Sequence, residues 1–441
     1  MNIYALSSGR GPSGIAIIRL SGKDTLKIAQ LISKEKNIKS REANLCKFYN
    51  PINNQIIDEG LILWFPGPNS YTGEDLAEFH IHGSNAVISL FLDVLSKQTN
   101  SRMAEPGEFT KIAFQNNKID LLEAESIGDL IHSETELQRQ QAIQIMRGNA
   151  SNHYNNLREK LIKALAYIEA KIDFAEDDLP EKVLIEAHKS IKEIHKEIKK
   201  IIEDNKIGEK IRDGFRVSII GEVNAGKSSL LNLIAKRDIA IVSDEAGTTR
   251  DVIEIYINID GYPVILADTA GIREAKNEIE KKGISLALGK SKEADLNIIV
   301  IDNSSKNINN EIKKIINKDT IVLLNKSDVQ KKQNHNFEAD TILASVKENK
   351  NIDKLINKVK EKLSKKVSTN NNTLITRARH RLKLNECLKE IDKFLKKDQN
   401  KDLELAAEDL RMASRHLGSI LGKVDVEEIL GSIFKDFCIG K

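Results

Sequence analysis

The run "GEVNAGKS" sets Gly221, Gly226, Lys227 and Ser228 at the spacing G-x-x-x-x-G-K-[ST]. These residue types in this pattern suit phosphate. The glycines let backbone N–H groups close around the oxygens, the lysine reaches the β- and γ-phosphates, and the serine hydroxyl ligates Mg2+. Taken alone, the motif also describes an accidental glycine turn. Three further segments follow it in order. "DTAG" (Asp268, Thr269, Ala270, Gly271) comes after the apolar run "YPVILA"; an aspartate there can hold Mg2+ through water, and a glycine N–H can sense the γ-phosphate. "NKSD" (Asn325 to Asp328) ends the run "TIVLL", and the Asp328 carboxylate can accept both the N1–H and the 2-amino protons of guanine, which adenine lacks. "ASV", with Ser345 at its centre, supplies a backbone N–H where guanine O6 would lie. Four such segments, each closing a predicted strand, imply a site that binds and hydrolyses GTP. Its contacts run through Asn224, Ala225, Gly226, Lys227, Ser228 and Ser229, through the DTAG residues, and through Asn325, Lys326, Asp328 and Ser345.

The position after "DTAG" bears on how water would be activated. Ras-like GTPases carry a glutamine there to orient the attacking water; this chain has Ile272, whose alkyl side chain cannot. Help has to come from another group. Arg273, Glu274, Glu278 and Glu280 are the nearby charges, and each also reads as a solvated side chain on a surface helix.

The elements that carry these residues fall into three textures. Residues 1–117 mix short strands ("GIAIIRL", "GLILWF", "LAEFHIH") with Gly/Pro turns, an α+β pattern. Residues 118–210 and 366–441 are helical. Tyr154, Leu157, Leu161, Leu165, Ile168 and Ile172 recur at amphipathic spacing, as do Ile191, Ile194, Ile198 and Ile201, and later Leu403, Ala406, Leu410, Ala413, Leu417 and Ile420. A final helix is expected to carry Val426, Ile429, Ile433 and Phe437, with Asp425 and Glu428 as a capping box. Between the helical stretches, residues 211–365 alternate strand and helix, an α/β unit on a mostly parallel sheet. A break is expected at "NKIGEKIRDG" before this unit, and the polar "SKKVSTNNNT" closes it. The fold expected is therefore multidomain: an α+β N-terminal domain, and an all-α helical domain into which a Ras-like GTPase domain is inserted. Neighbouring domain termini make such an insertion easy.

Composition narrows the setting. Lys and Arg total 68 against 65 Asp and Glu, a net charge of +3, so RNA is permitted as a partner but not demanded. Cys46, Cys387 and Cys438 are too few and too scattered for a disulfide framework. The N-terminal run has no basic-then-apolar signal, and no apolar run approaches the ~20 residues of a membrane span. A cytoplasmic protein with no membrane contact is expected. Cys438 lies in "FCIGK", which is a poor prenylation box because Lys is not a usual last residue and Gly440 is not aliphatic. A spare thiol on a frayed end and a tail delivered into a site elsewhere both remain open on these residues alone. His80 and His82 share one strand face, as a metal pair or, more simply, as structural residues; Cys387 sits on a helix as a packed thiol.

The segments "GEVNAGKSSLLN", "IVSDEAGTTRDVIE", "DTAGIREAKNEIE", "YTGEDLAEFHIHG", "AEPGEFTKIAFQNNKIDLLEAESIGDLI" and the closing "CIGK" together resemble the MnmE/TrmE family of tRNA-modification GTPases. The resemblance runs from about residue 9 to the last residue. It implies an N-terminal folate-binding and dimerisation domain, and K+ acting as an arginine finger would. Asn224 stands at the family's K+ position; Ser243, Glu245 and Thr248 stand on its potassium loop, and Thr249 joins Ser228 at Mg2+. Ser243, Thr248 and Thr249 also border the nucleotide. Glu245 replaces an apolar residue, and a backbone carbonyl ligand there would tolerate the change. Glu280 falls at the general-base position, acting through a bridging water, and Arg273 at a supporting one. Arg19, Glu78, Lys118 and Lys441 match the positions that hold 5-formyl- or 5,10-methylene-tetrahydrofolate, with Cys438 near the one-carbon unit. A carboxylate such as Glu78 suits the amidine edge of a pterin, and cations suit the glutamate tail. "GPSG" departs from the family's more glycine-rich turn. The resemblance further implies a homodimer that joins a flavin-dependent GidA/MnmG-type partner in a heterotetramer and modifies the wobble uridine of certain tRNAs. The alternative is an Era/Der-like ribosome-assembly GTPase, which would carry a KH-like RNA-binding domain where this chain has helices ending in CIGK.

Overall fold

The computed structural model describes residues 1–9, 11–173, 181–204, 206–236, 240–241, 254–268, 289, 291–305, 308–329, 337–368, 374–397, 402–424, 430, 433–434 and 437–441. It divides into two compact units, one of residues 1–128, 145–162 and 414–441 and the other of 129–144 and 163–413.

The first unit is built on a six-stranded sheet of β1 (Asn2–Leu6), β2 (Ser13–Ser21), β3 (Asn44–Tyr49), β4 (Ile56–Phe65), β5 (Leu76–Gly83) and β6 (Ser101–Met103). Its spatial order is β3-β4-β5-β2-β1-β6. Along β2 the alternation is strict: Ala16, Ile18 and Leu20 are buried, while Ile17 and Arg19 lie on the other face. On β5, Phe79 and Ile81 face the core and Glu78, His80 and His82 oppose them. The buried face packs on α1 (Thr25–Ser33) and α2 (Asn85–Ser96) through Phe48, Phe79 and Phe91, whose rings meet 5.0 to 5.9 Å apart. α3 (Glu108–Gln115), the start of α4 (Leu121–Ile131), the end of α5 (Glu136–Met146), the first part of α6 (Asn149–Asp173) and the end of the helix Leu403–Ile420 also belong to this unit, and Leu121, Ala124, Leu430, Phe434 and Phe437 form a second small core. Phe437 does not lie on a helix, as the apolar stripe had suggested; it sits in a bend beyond the helical residues 433–434. Its ring fills the space beside Gly128, where a Cβ would come within 3.1 Å of it. Asp425, Val426, Glu428 and Ile429 lie outside the described residues.

The second unit holds a seven-stranded sheet in the order β13-β12-β11-β7-β10-β9-β8. The strands are β7 (Phe215–Gly221), β8 (Ala240–Ile241), β9 (Glu254–Ile259), β10 (Tyr262–Asp268), β11 (Leu296–Asp302), β12 (Ile321–Asn325) and β13 (Asp340–Leu343). β7 and β10 to β13 pair in parallel, and β8 and β9 add an antiparallel edge. Parallel strands covered on both faces need continuous apolar runs, and "IVLLN" in β12 is buried throughout. The run "NKIGEKIRDG" is not a plain break: it contains α8 (Ile207–Asp213). Ile207 and Ile211, one helical turn apart, are buried in the core of the α/β sheet and so hold a helix too short to show a period. The helix Ile352–Ser368 likewise runs into the polar segment expected to end the domain. The longer apolar stripes lie as expected, with Ile191, Ile194 and Ile198 buried on α7 (Glu181–Ile202).

Candidate functional site

Strand β7 ends at Gly221, and the loop Glu222–Gly226 leads into α9 (Lys227–Ile234). Two residues of this loop take left-handed backbone, Asn224 at φ 61° and Gly226 at φ 101°. Gly226 also has no room for a side chain, since a Cβ would stand 2.2 Å from Asn325 Nδ2. Such a turn leaves backbone N–H groups pointing into a concave loop at a helix N-terminus, the arrangement that receives phosphate. The Lys227 ammonium donates to the carbonyls of Gly221 at 2.9 Å and Glu222 at 2.7 Å, so it lies across the loop.

Asn325, at the end of β12, is 3% exposed. It donates to the Ala225 carbonyl at 2.8 Å and accepts the Val346 N–H at 3.0 Å. The Ser345 hydroxyl donates to Asp328 at 2.6 Å, and Ser327 N–H donates to the Ala344 carbonyl at 3.0 Å. The hydroxyl of Ser345, with the backbone N–H of Asp328 itself, holds the Asp328 carboxyl below its ordinary value and so keeps it an acceptor. Lys326 pairs with Asp302 at 2.7 Å, at the end of the neighbouring β11. Burial works to raise the Asp302 carboxyl, yet Lys326 and Ser304 hold it below the ordinary value. Sequence reasoning missed Asp302; an aspartate closing the apolar run "LNIIVID" beside β12 was the available signal.

The phosphate loop, "NKSD" and "ASV" are thus drawn to one edge of a single sheet. Asp268 ends β10 opposite Ile219 of β7. Ser243, Glu245, Thr248, Thr249, Thr269, Ala270, Gly271, Arg273, Glu274, Glu278 and Glu280 lie outside the described residues.

In the other unit, β2 and β5 bring Arg19 directly opposite Glu78. The guanidinium meets Glu78 Oε1 through Nε at 3.1 Å and through the NH2 nitrogen at 2.8 Å, with the two side chains 15% and 19% exposed. The Tyr71 and Phe109 rings lie 5.5 and 5.6 Å from the guanidinium carbon, within reach of cation–π attraction. Glu78 Oε2 lies 3.7 Å from His80 Nε2, which leaves acceptor capacity on that oxygen. His82 instead bonds to Asp58 at 2.8 Å on an exposed edge. Among the described residues no group of three or more His, Cys, Asp or Glu is placed to hold a metal ion. Lys118 is exposed after α3, its Cε 3.4 Å from where a Cβ on Gly73 would stand.

The segment Cys438–Lys441 docks on this same unit. Ile439 bridges Pro106 in antiparallel fashion, Phe109 N–H donates to the Lys441 carbonyl at 3.2 Å, and Gly107 N–H to the Cys438 carbonyl at 3.4 Å. The Gly440 carbonyl accepts from Ser7 Oγ at 2.8 Å and from Arg19 at 3.4 Å. Cys438 is exposed, whereas Cys46 and Cys387 are buried. Burial pushes the Cys46 thiol up to about 11 and the Cys387 thiol further still. Ser7 carried no sequence signal, because its partner lies 433 positions away.

A mostly parallel sheet with a glycine-rich phosphate loop on its central strand β7 and "NKSD" closing β12, two strands away, defines a P-loop GTPase. Two family models match the chain: the GTP-binding protein TrmE N-terminus over residues 2–118 and the MnmE helical domain over residues 121–438. The chain is 57% identical to the tRNA modification GTPase MnmE of Pelagibacter ubique, over all of both chains. It is 43% identical to that of Parvibaculum lavamentivorans, over all of this chain and 99% of the relative. The chain belongs to the MnmE/TrmE family of tRNA modification GTPases.

Proposed function

We propose that this chain hydrolyses GTP under potassium stimulation. With a flavin-dependent GidA/MnmG-type partner, it adds an aminomethyl-type or carboxymethylaminomethyl group at C5 of the wobble uridine of certain tRNAs. Family membership supports the GTPase role in tRNA modification over ribosome assembly. The observation that carries the finer reading is the docking of the Cys438 tail beside the Arg19–Glu78 pair. The functional form is a homodimer in the cytoplasm that joins its partner as a heterotetramer, with residues 1–117, 118–210 with 366–441, and 211–365 as its three domains.

At the GTP site, Asp328 accepts from guanine and Asn325 keeps the base-binding and phosphate-binding segments in register. Lys227 exchanges its loop carbonyls for phosphate oxygens, a stronger charge-assisted contact. Ser228 and Thr249 would hold Mg2+, and Asn224, Ser243, Glu245 and Thr248 would hold K+. These ions supply neutralisation of charge on the phosphates. Glu280 serves as base toward the attacking water, and Arg273 supports it. On the sheet face of the first unit, Glu78 accepts from a pterin edge while Arg19 orients that carboxylate. Lys118 and Lys441 attract a glutamate tail. A 5-formyl- or 5,10-methylene-tetrahydrofolate bound there supplies the one-carbon unit. The Cys438 thiol acts at that unit either as nucleophile or by holding or moving a proton.

Two measurements test the reading. GTP turnover is expected to be faster in KCl than in NaCl, and equal rates would remove the potassium mechanism. Mass spectrometry of wobble uridines from cells carrying only Cys438→Ser is expected to find the modification lost, with GTP hydrolysis intact. Normal modified uridine in those cells would return the thiol to a bystander.

A further inference from the structure

We infer that Ser7 and Gly440 are positioning residues that dock the Cys438 tail on the N-terminal sheet, with Gly440 required as glycine. This rests on the reading that Cys438 serves uridine modification. The hydrogen bonds that dock the tail all end on its own main-chain oxygens. The segment binds by its carbonyls: that of Cys438 to Gly107 N–H, that of Gly440 to Ser7 and Arg19, that of Lys441 to Phe109 N–H. The thiol takes no part in these bonds, so it is carried at a fixed place while its sulfur stays exposed. Upstream, Phe434 and Phe437 anchor the segment in the small core, 3% and 7% exposed.

Gly440 is the point where this arrangement admits no substitute. Its φ is 96°, a conformation that an L side chain rarely adopts. A Cβ there would stand 2.3 Å from the Leu6 carbonyl oxygen, which is backbone and cannot rotate aside. Ser7, next to Leu6 at the start of the loop between β1 and β2, holds the same residue through its carbonyl. Arg19 therefore holds two things at once, the Glu78 carboxylate and the tail carbonyl. One guanidinium thus touches both the Glu78 carboxylate and the tail that carries the thiol.

The test uses the full-length protein. Hydrogen exchange of the Gly107 and Phe109 amides reports docking directly, because both donate to tail carbonyls. Gly440→Ala is expected to speed their exchange by at least about tenfold, and Ser7→Ala by roughly fivefold, the loss of one hydrogen bond. Ser7→Thr, which keeps the hydroxyl, is expected to restore protection. Wobble-uridine modification should fall in the same order, with potassium-stimulated GTP hydrolysis unchanged. Parent-like exchange in both Gly440→Ala and Ser7→Ala would overturn the docking role. Fast exchange with normal modification would overturn the positioning role. Normal modification in Cys438→Ser would instead fault the thiol and leave the docking measurement standing.

Discussion

The Asn325 amide donates to the Ala225 carbonyl at 2.8 Å while its oxygen accepts the Val346 N–H at 3.0 Å. One buried side chain thereby ties the phosphate loop to the segment expected at the guanine base. The contact also explains the glycine that follows Ala225: any larger residue at 226 would displace Asn325.

Gly226→Ala is therefore expected to abolish tight nucleotide binding while the protein stays folded. Left-handed strain costs about 1–3 kcal/mol, and the overlap with Asn325 adds to it, so GTP affinity should fall by at least about tenfold. Titration with a fluorescent guanine nucleotide measures it. Affinity within twofold of the parent would mean that the loop can open without Asn325.

Asp328→Asn should weaken GTP and admit xanthosine triphosphate, whose 2-oxo group accepts a hydrogen bond from the new amide. Competition between the two nucleotides reads the switch. Ser345→Ala removes the 2.6 Å donor that keeps Asp328 ionised. In that variant the acid-side loss of guanine affinity should begin at higher pH than in the parent.

Glu280→Ala should slow GTP turnover by roughly 10²-fold, within the range of general-base catalysis, with nucleotide binding retained. Single-turnover hydrolysis in KCl decides it. Near-parent rates would pass the role to Glu278 or to water alone.

The Glu108 carboxylate gives a pH test of the tail's seat. Burial works to raise its carboxyl, but Arg102 and the Glu105 N–H hold it below the ordinary value. A lowered folded value means that the stabilisation is complete above the unfolded value of about 4.3 and is lost as pH falls through the folded one. Glu108→Gln should then cost about 1 kcal/mol at neutral pH, a modest figure because Arg102 is partly open to solvent. The gap to the parent should close below about pH 4. Thermal unfolding at several pH values measures it; a gap constant down to pH 3.5 would assign the effect to packing.

The strands that carry the nucleotide motifs were legible because buried parallel strands are written as unbroken apolar runs, as in "TIVLLN" and "YPVILAD". The alternation that turns Arg19 and Glu78 away from Ile18 and Phe79 was legible too. Their pairing was not, because register is set by strand order, which no local pattern encodes. α8 escaped notice since two isoleucines are too few to establish a period. Phe437 matched a helical stripe and yet sits in a bend, its ring packed where only a glycine at 128 leaves room. The tail contacts were the least legible: Arg19 and Gly440 are 421 positions apart, and nothing in either neighbourhood names the other.

That separation has a consequence for biosynthesis. Ser7 and Arg19 leave the ribosome 433 and 421 positions ahead of Gly440, the residue whose carbonyl they bind. The small core around Leu121 and Ala124 likewise waits for Leu430, Phe434 and Phe437. Since chains fold from the N-terminus as they are made, at about 5–20 residues per second, this apolar seat stays uncovered while some three hundred intervening residues are translated. A nascent chain stalled anywhere in that interval would present a formed sheet with an open hydrophobic notch. Exposed apolar surface of that kind is what chaperones bind, and this notch is covered once Leu430, Phe434 and Phe437 have been made.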